Sequence, residues 1–171
     1  VTNLDSKFTR TVVGMTLRPG EVAREYVDGR RSAYMNPIKY AFFSTTFFLL
    51  LVHLFEVPVW RLARADRESF MTIFSLISYM VFVNVFGPAT VERLAFWRDW
   101  RNLAECYVFC LFSYGHLAFF YTAAAFLGAY ESFKSYLVVV AGAMAFLAWG
   151  LVGFYRTRVW RAVLAAIFMA L

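Results

Sequence analysis

Beyond residue 37 the chain is mostly long apolar runs separated by short charged stretches. The first 37 residues follow a different rule. Phe8, Val12 and Met15 recur at helical spacing, with Lys7 and Arg10 on other faces, which predicts a short amphipathic helix. Arg18-Pro19-Gly20 interrupts it, and Pro19 suits the first turn of a second helix, where its missing N–H is not needed. That second helix is expected over 21–27, with Val22 and Tyr26 on one face and Gly29 at its end. Residues 1–37 are therefore read as an amphipathic segment, either lying in the membrane interface or forming a small helical hairpin.

Asn36-Pro37 introduces the first apolar run. A helix needs about 20 mostly apolar residues to cross hydrocarbon. On that measure the spans are expected at about 38–57, 70–86, 103–128 and 135–155, and 163–171 starts a fifth. Pro58 stops the first span and Gly87-Pro88 breaks the second. Residues 89–102 read as an interfacial helix with Trp97 and Trp100 at headgroup depth. The fold class is thus all-α: a transmembrane bundle over 38–171, of four spans with the start of a fifth, preceded by the amphipathic segment. Val1 in place of an initiator Met, and an end at Leu171 inside an apolar run, lead us to expect further chain on both sides.

Composition strengthens this reading. The chain is 61% hydrophobic and only 16% charged, against about 25% charged in a typical soluble domain. The net charge of +6 would otherwise suggest nucleic acid; beside apolar spans it suggests anionic headgroups, and no nucleic-acid partner is expected. With the N-terminus inside, thirteen of the 17 Lys and Arg fall on the inner side and four on the outer. The positive-inside rule then puts the N-terminus in the cytoplasm.

Leu17-Arg18-Pro19-Gly20, Arg24-Glu25-Tyr26, Gly29-Arg30-Arg31, Tyr34 and Pro37, followed by an aromatic span, form a distinctive series. It resembles the opening of a bacterial membrane family catalogued as domain of unknown function three-six-six-seven. The resemblance extends to Asn102-Leu103-Ala104-Glu105. It implies a Glu there followed by His residues, where this chain has Cys106, Phe112 and Tyr114. Many members carry a zinc-ribbon-like Cys cluster before Arg-Pro-Gly, and these residues contain none. The resemblance implies the architecture and a bacterial inner membrane as the location, and carries no activity.

Few residues offer chemistry. His53 and His116 are the two histidines. Counted from the starts of their spans they fall at nearly one depth, so they could ligate a haem axially; the alternative is two hydrogen-bonded imidazoles. Glu105, Cys106 and Cys110 could be three metal ligands, although Cys is often a small apolar residue in a membrane helix and Glu105 can pair with Arg101. Arg18, Arg24, Arg30 and Arg31 are expected to bind anionic headgroups or a partner carboxylate, Glu105 included. Ser44, Thr45, Thr46, Ser75, Ser78 and Asn84 could line a solute path or bond between helices. Ala124 with Gly128, and Ala141 with Ala145, have the spacing that lets helices approach closely. Phe43, Phe47 and Phe48 are expected to face lipid or protein. No phosphate loop, metalloprotease signature or nucleophile elbow is present. The expected function is a non-catalytic accessory or assembly subunit with no cofactor, packed against other membrane subunits. The alternatives are a small-solute or lipid transporter and a haem protein using His53 and His116.

Overall fold

The computed structural model describes residues 3–55, 66, 68–69, 71–72, 76, 80–99, 101–128 and 132–170. Among them the chain is all-helical, without strands. The helices are α1 (Asn3–Leu17), α2 (Pro19–Val27), α3 (Pro37–Leu54), α4 (Val81–Asn84), α5 (Phe86–Ala95), α6 (Leu103–Phe126), α7 (Phe133–Tyr155) and α8 (Val159–Ala170).

Local signals set the ends. The Asn36 side chain accepts from the Ile38 and Lys39 N–H groups, with Pro37 in the first turn of α3. Asn102 accepts from the Glu105 N–H and returns an N–H to its carboxylate at 3.2 Å, a reciprocal cap of α6. Ser132 caps α7 at Lys134, and Arg156 ends it in the left-handed region, at φ 51°. Among the described residues three helices are long and apolar enough to cross a membrane: 31–54, which contains α3, together with α6 and α7. Seven of the 17 residues of the expected second span, 70–86, lie outside the described residues. The expected break at Gly87-Pro88 is met: α4 ends at Asn84 and α5 begins at Phe86, with Pro88 in the first turn of α5, where it has no N–H to donate to the Asn84 carbonyl.

α6 is the central helix. Its most apolar window is 61% buried, against 33% for the first span and 28% for α7. α3 runs parallel to it: Ala41 meets Gly115, Tyr40 meets His116, and the Phe55 ring lies 5.1 Å from that of Phe126. A Cβ on Gly115 would stand 2.8 Å from the Ala41 Cα, so the missing side chain sets this approach. Along these pairings the first residues of α3 lie beside the middle of α6. The N-terminal end of α6, called its inner end from its place in the fold alone, therefore projects past α3, and it is covered by α2, α5 and α7.

The N-terminal segment is part of this packing. Met15, Val22 and Ala23 are fully buried in the main core. At the start of α2, Gly20 lies against the α7 backbone, where a Cβ would overlap the Gly150 oxygen. The Arg24 guanidinium donates to the Gly153 carbonyl at 3.1 Å, near the negative end of α7. Arg101 draws three elements together: it pairs with Asp28 at 2.8 Å and Glu105 at 3.6 Å, and lies 4.9 Å from the centre of the Phe154 ring.

The expected small-residue faces are found in part. Ala124 is buried with Phe48 and Val52 of α3. Ala141 and Ala145 are exposed; α7 instead packs through Ala143, Phe146, Leu147 and Gly150, because its inner half must also receive α2. Phe43 and Phe47 face outward as expected, whereas Phe48 is buried.

Candidate functional site

α5 packs on α6 through one stripe. Val85, Ala89, Glu92 and Phe96 are all buried, at the spacing of a single helical face. Three of the four are apolar and the fourth is a carboxylate with no exposed surface. Cys110 of α6 donates from Sγ to Glu92 Oε2 at 3.1 Å. Tyr155, at the end of α7, donates to Oε1 at 2.9 Å. The same phenol oxygen lies 3.2 Å from Cys106 Sγ. The Tyr155 ring stacks on Phe96 with centroids 4.1 Å apart, and the Arg161 guanidinium lies 5.4 Å from the Phe96 ring centre.

Among the described residues no hydrogen-bonding partner of Glu92 is a cation. Burial disfavours its charged form and raises the carboxyl to about 8, against the opposing hydrogen bonds from Cys110 and Tyr155. Near neutral pH the group is mainly a neutral acid. One carboxyl oxygen then carries the proton, and the Tyr155 hydrogen can turn to Cys106. A chain of exchangeable hydrogens thus links α5, α6 and α7.

A second buried polar group lies further along α6. His116 Nδ1 is 2.6 Å from the Tyr40 hydroxyl and Nε2 is 3.2 Å from Thr16 Oγ1. Both ring nitrogens therefore have protein partners, one as donor and the other as acceptor. This joins α1, α3 and α6. Tyr40 stacks on the imidazole, with 13° between the rings.

The structure regroups the residues singled out from sequence. His53 and His116 do not meet. His53 is on the exposed face of α3, and in the α3–α6 register it lies about eight residues, or roughly 12 Å, beyond His116. The expected common depth fails because the two spans do not start level. Glu105 turns to Arg101 and Asn102, while Cys106 and Cys110 face Tyr155 and Glu92. Among the described residues no group of three His, Cys, Asp or Glu side chains is arranged to hold a metal ion.

The four arginines also separate. Arg18 lies 3.6 Å from Glu21 and Arg30 lies 3.5 Å from Glu25. Arg24 serves α7, and Arg31 lines a groove between the starts of α3 and α6. The Glu105 ion pair goes to Arg101. Sequence reasoning missed Glu92, although the 85/89/92/96 stripe was there to be read.

The described chain is an all-helical protein with three helices able to span a membrane. A family model described as Protein of unknown function (DUF3667) matches residues 5–49, the family that the opening motif resembles. The match spans α1, α2 and most of α3, and so contains Gly20, Arg24 and Tyr40. No curated protein and no solved structure matches.

Proposed function

We propose that the protein acts by association, as a non-catalytic accessory or assembly subunit of a bacterial inner-membrane complex. The observation that carries this reading is a groove of about 400 Å³ between α5 and α8. Leu94, Trp160, Leu164 and Phe168 rim it and are exposed, while Ala165 on its lining is 2% exposed. A groove with small residues beneath large apolar rims accepts the side-chain ridge of another helix. The thirteen-to-four charge split supports a cytoplasmic N-terminus. Phe55 lies beside Phe126, whereas Phe82 lies beside Tyr107. Those levels are separated by 19 residues of α6, roughly 29 Å, so Phe55 and Phe82 stand about the thickness of a hydrocarbon core apart. Arg18 and Arg30, on the charged side, would meet anionic headgroups.

The test is isolation of the full chain from membranes in mild detergent. A stoichiometric membrane partner is expected with the natural chain. Filling the groove with Ala95→Leu, at an exposed position, should release that partner without lowering the level of the chain. A partner-free chain would overturn the reading.

One observation favours the alternative of a small-solute or lipid transporter. A buried, protonatable carboxyl within a membrane bundle is a usual carrier of coupled protons, and Glu92 has that form. Under this reading, reconstituted protein should acidify or alkalinise vesicles when a solute gradient is applied, and Glu92→Gln should abolish the flux. Absence of any flux across a solute panel would leave association as the sole reading.

A further inference from the structure

A second groove, of about 360 Å³, opens between the end of α2, the start of α3 and the inner end of α6. Its character changes along its length. Arg31, Asn36, Asn102 and Glu105 supply polar groups, whereas Ile38 and Val108 supply apolar surface where the two spans begin. The charges are of both signs and come from different elements. Arg31 is exposed and has no ion-pair partner among the described residues. Glu105 is partly exposed, with 28% of its side chain open; one oxygen accepts an N–H from Asn102 at 3.2 Å and the other lies 3.6 Å from Arg101, a long contact, so the carboxylate keeps lone pairs for a further donor. Asn36 and Asn102 spend their side-chain oxygens on capping. The N-termini of α3 and α6 both open beside the groove, which adds positive potential near Arg31.

We propose that this groove holds the headgroup of a phospholipid whose head carries a phosphate and a primary ammonium. The phosphate meets Arg31, and the ammonium donates to Glu105. The acyl chains leave past Ile38 and Val108 into the bilayer. A purely anionic head fits less well, because it would satisfy Arg31 and place negative charge beside Glu105. A phosphatidylethanolamine head uses both side chains, and its N–H groups reach an acceptor that a wholly anionic lipid would repel. The volume takes a headgroup and not two acyl chains. The site does not depend on the association reading, since its lining comes from α2, α3 and α6 rather than from α5 and α8.

The experiment uses the full chain in vesicles of equal phosphatidylethanolamine and phosphatidylglycerol. After detergent extraction and washing, native mass spectrometry counts the lipid retained on each protein. One phosphatidylethanolamine per chain is expected, favoured about tenfold over phosphatidylglycerol, the factor of one charge-assisted hydrogen bond. Glu105→Gln should reduce that preference to near equality. Arg31→Gln should lower retention of both lipids, and Arg31→Lys should restore most of it, which separates loss of the site from loss of the fold. Arg158→Gln, outside the groove, should change nothing. Retention of phosphatidylglycerol at least equal to that of phosphatidylethanolamine, or unchanged retention in Arg31→Gln, would overturn the proposal.

Discussion

The two halves of α6 are packed by different means. Its outer half, from Leu117 to Phe126, is covered by the apolar faces of α3 and α7, with Phe48, Val52, Ala124 and Ala125 in one small cluster. Its inner half meets α2, α5 and α7, and bears the Glu92 network. The outer contacts are exchangeable, because lipid tails are nearly as good a neighbour for such side chains as another helix is. The helices gathered around the inner half are held to one another by specific contacts, α2 to α7 and Arg101 to Asp28. Gly20 against Gly150, Arg24 on the Gly153 carbonyl and Arg101 on Asp28 each demand one residue type at one place. The difference teaches that identity in this protein resides where short, partly polar helices dock on a span. The family match over residues 5–49 covers the docking side of those contacts.

The strongest way to break the comparison is at Gly20. Gly20→Ala places a methyl against the Gly150 oxygen and the backbone of Gly153 and Phe154, and because all three neighbours are backbone it can be relieved only by undocking α2. A loss of about 3 kcal/mol is expected, at the upper end for overpacking. Gly142, with nothing within 4 Å of a built Cβ, is the control on the exposed side. Gly142→Ala should be neutral or stabilising by up to about 1 kcal/mol through helix propensity. Reversible unfolding in mixed detergent micelles measures both. Equal effects at the two glycines would show that the inner and outer packing do not differ.

Sequence captured the spans better than their register. The expected starts at 38, 103 and 135 lie within two residues of Pro37, Leu103 and Phe133, because Asn36, Asn102 and Ser132 are local caps with local signatures. Register is not local. Aligning the spans by their first residues put His53 opposite His116, whereas the Ala41–Gly115 contact puts Tyr40 there. Gly150 and Gly153 thin the end of the fourth span, but nothing in their spacing names Gly20 as the partner. Glu92 was hidden by reading 89–102 as an interfacial helix, where a carboxylate is unremarkable. Pairing of Glu105 with Arg101 was legible, since an i, i+4 contact needs only one helix.

The Glu92 network sharpens the comparison through pH. The carboxyl sits near 8 in the folded protein against an ordinary value of 4.5. Between those values the folded chain holds a proton that the unfolded chain has released. Stability from this group is therefore fully present below about pH 4.5 and is lost as pH rises towards 8. Glu92→Gln keeps the shape and removes the titration, so its stability should be flatter across that window. The readout is the midpoint of unfolding at several pH values. The same slope in Glu92→Gln and the natural chain would place the titration elsewhere and return Glu92 to a purely packing role.

The smallest effect is expected at His116, where the inner and outer halves meet. Tyr40→Phe removes the hydroxyl 2.6 Å from Nδ1 while leaving the ring stack and the Thr16 contact in place. A buried ring nitrogen that loses one of two partners costs about 1 kcal/mol, the low end for an orphaned polar group, since the remaining bond still fixes the ring. His53→Ala, on the exposed face of α3, should cost less than about 0.5 kcal/mol, as surface changes do. If His53→Ala proved the more damaging, His53 would be engaged with a group outside the described residues, and the Tyr40–His116–Thr16 bridge would no longer be the contact that holds α1 and α3 to the centre of α6.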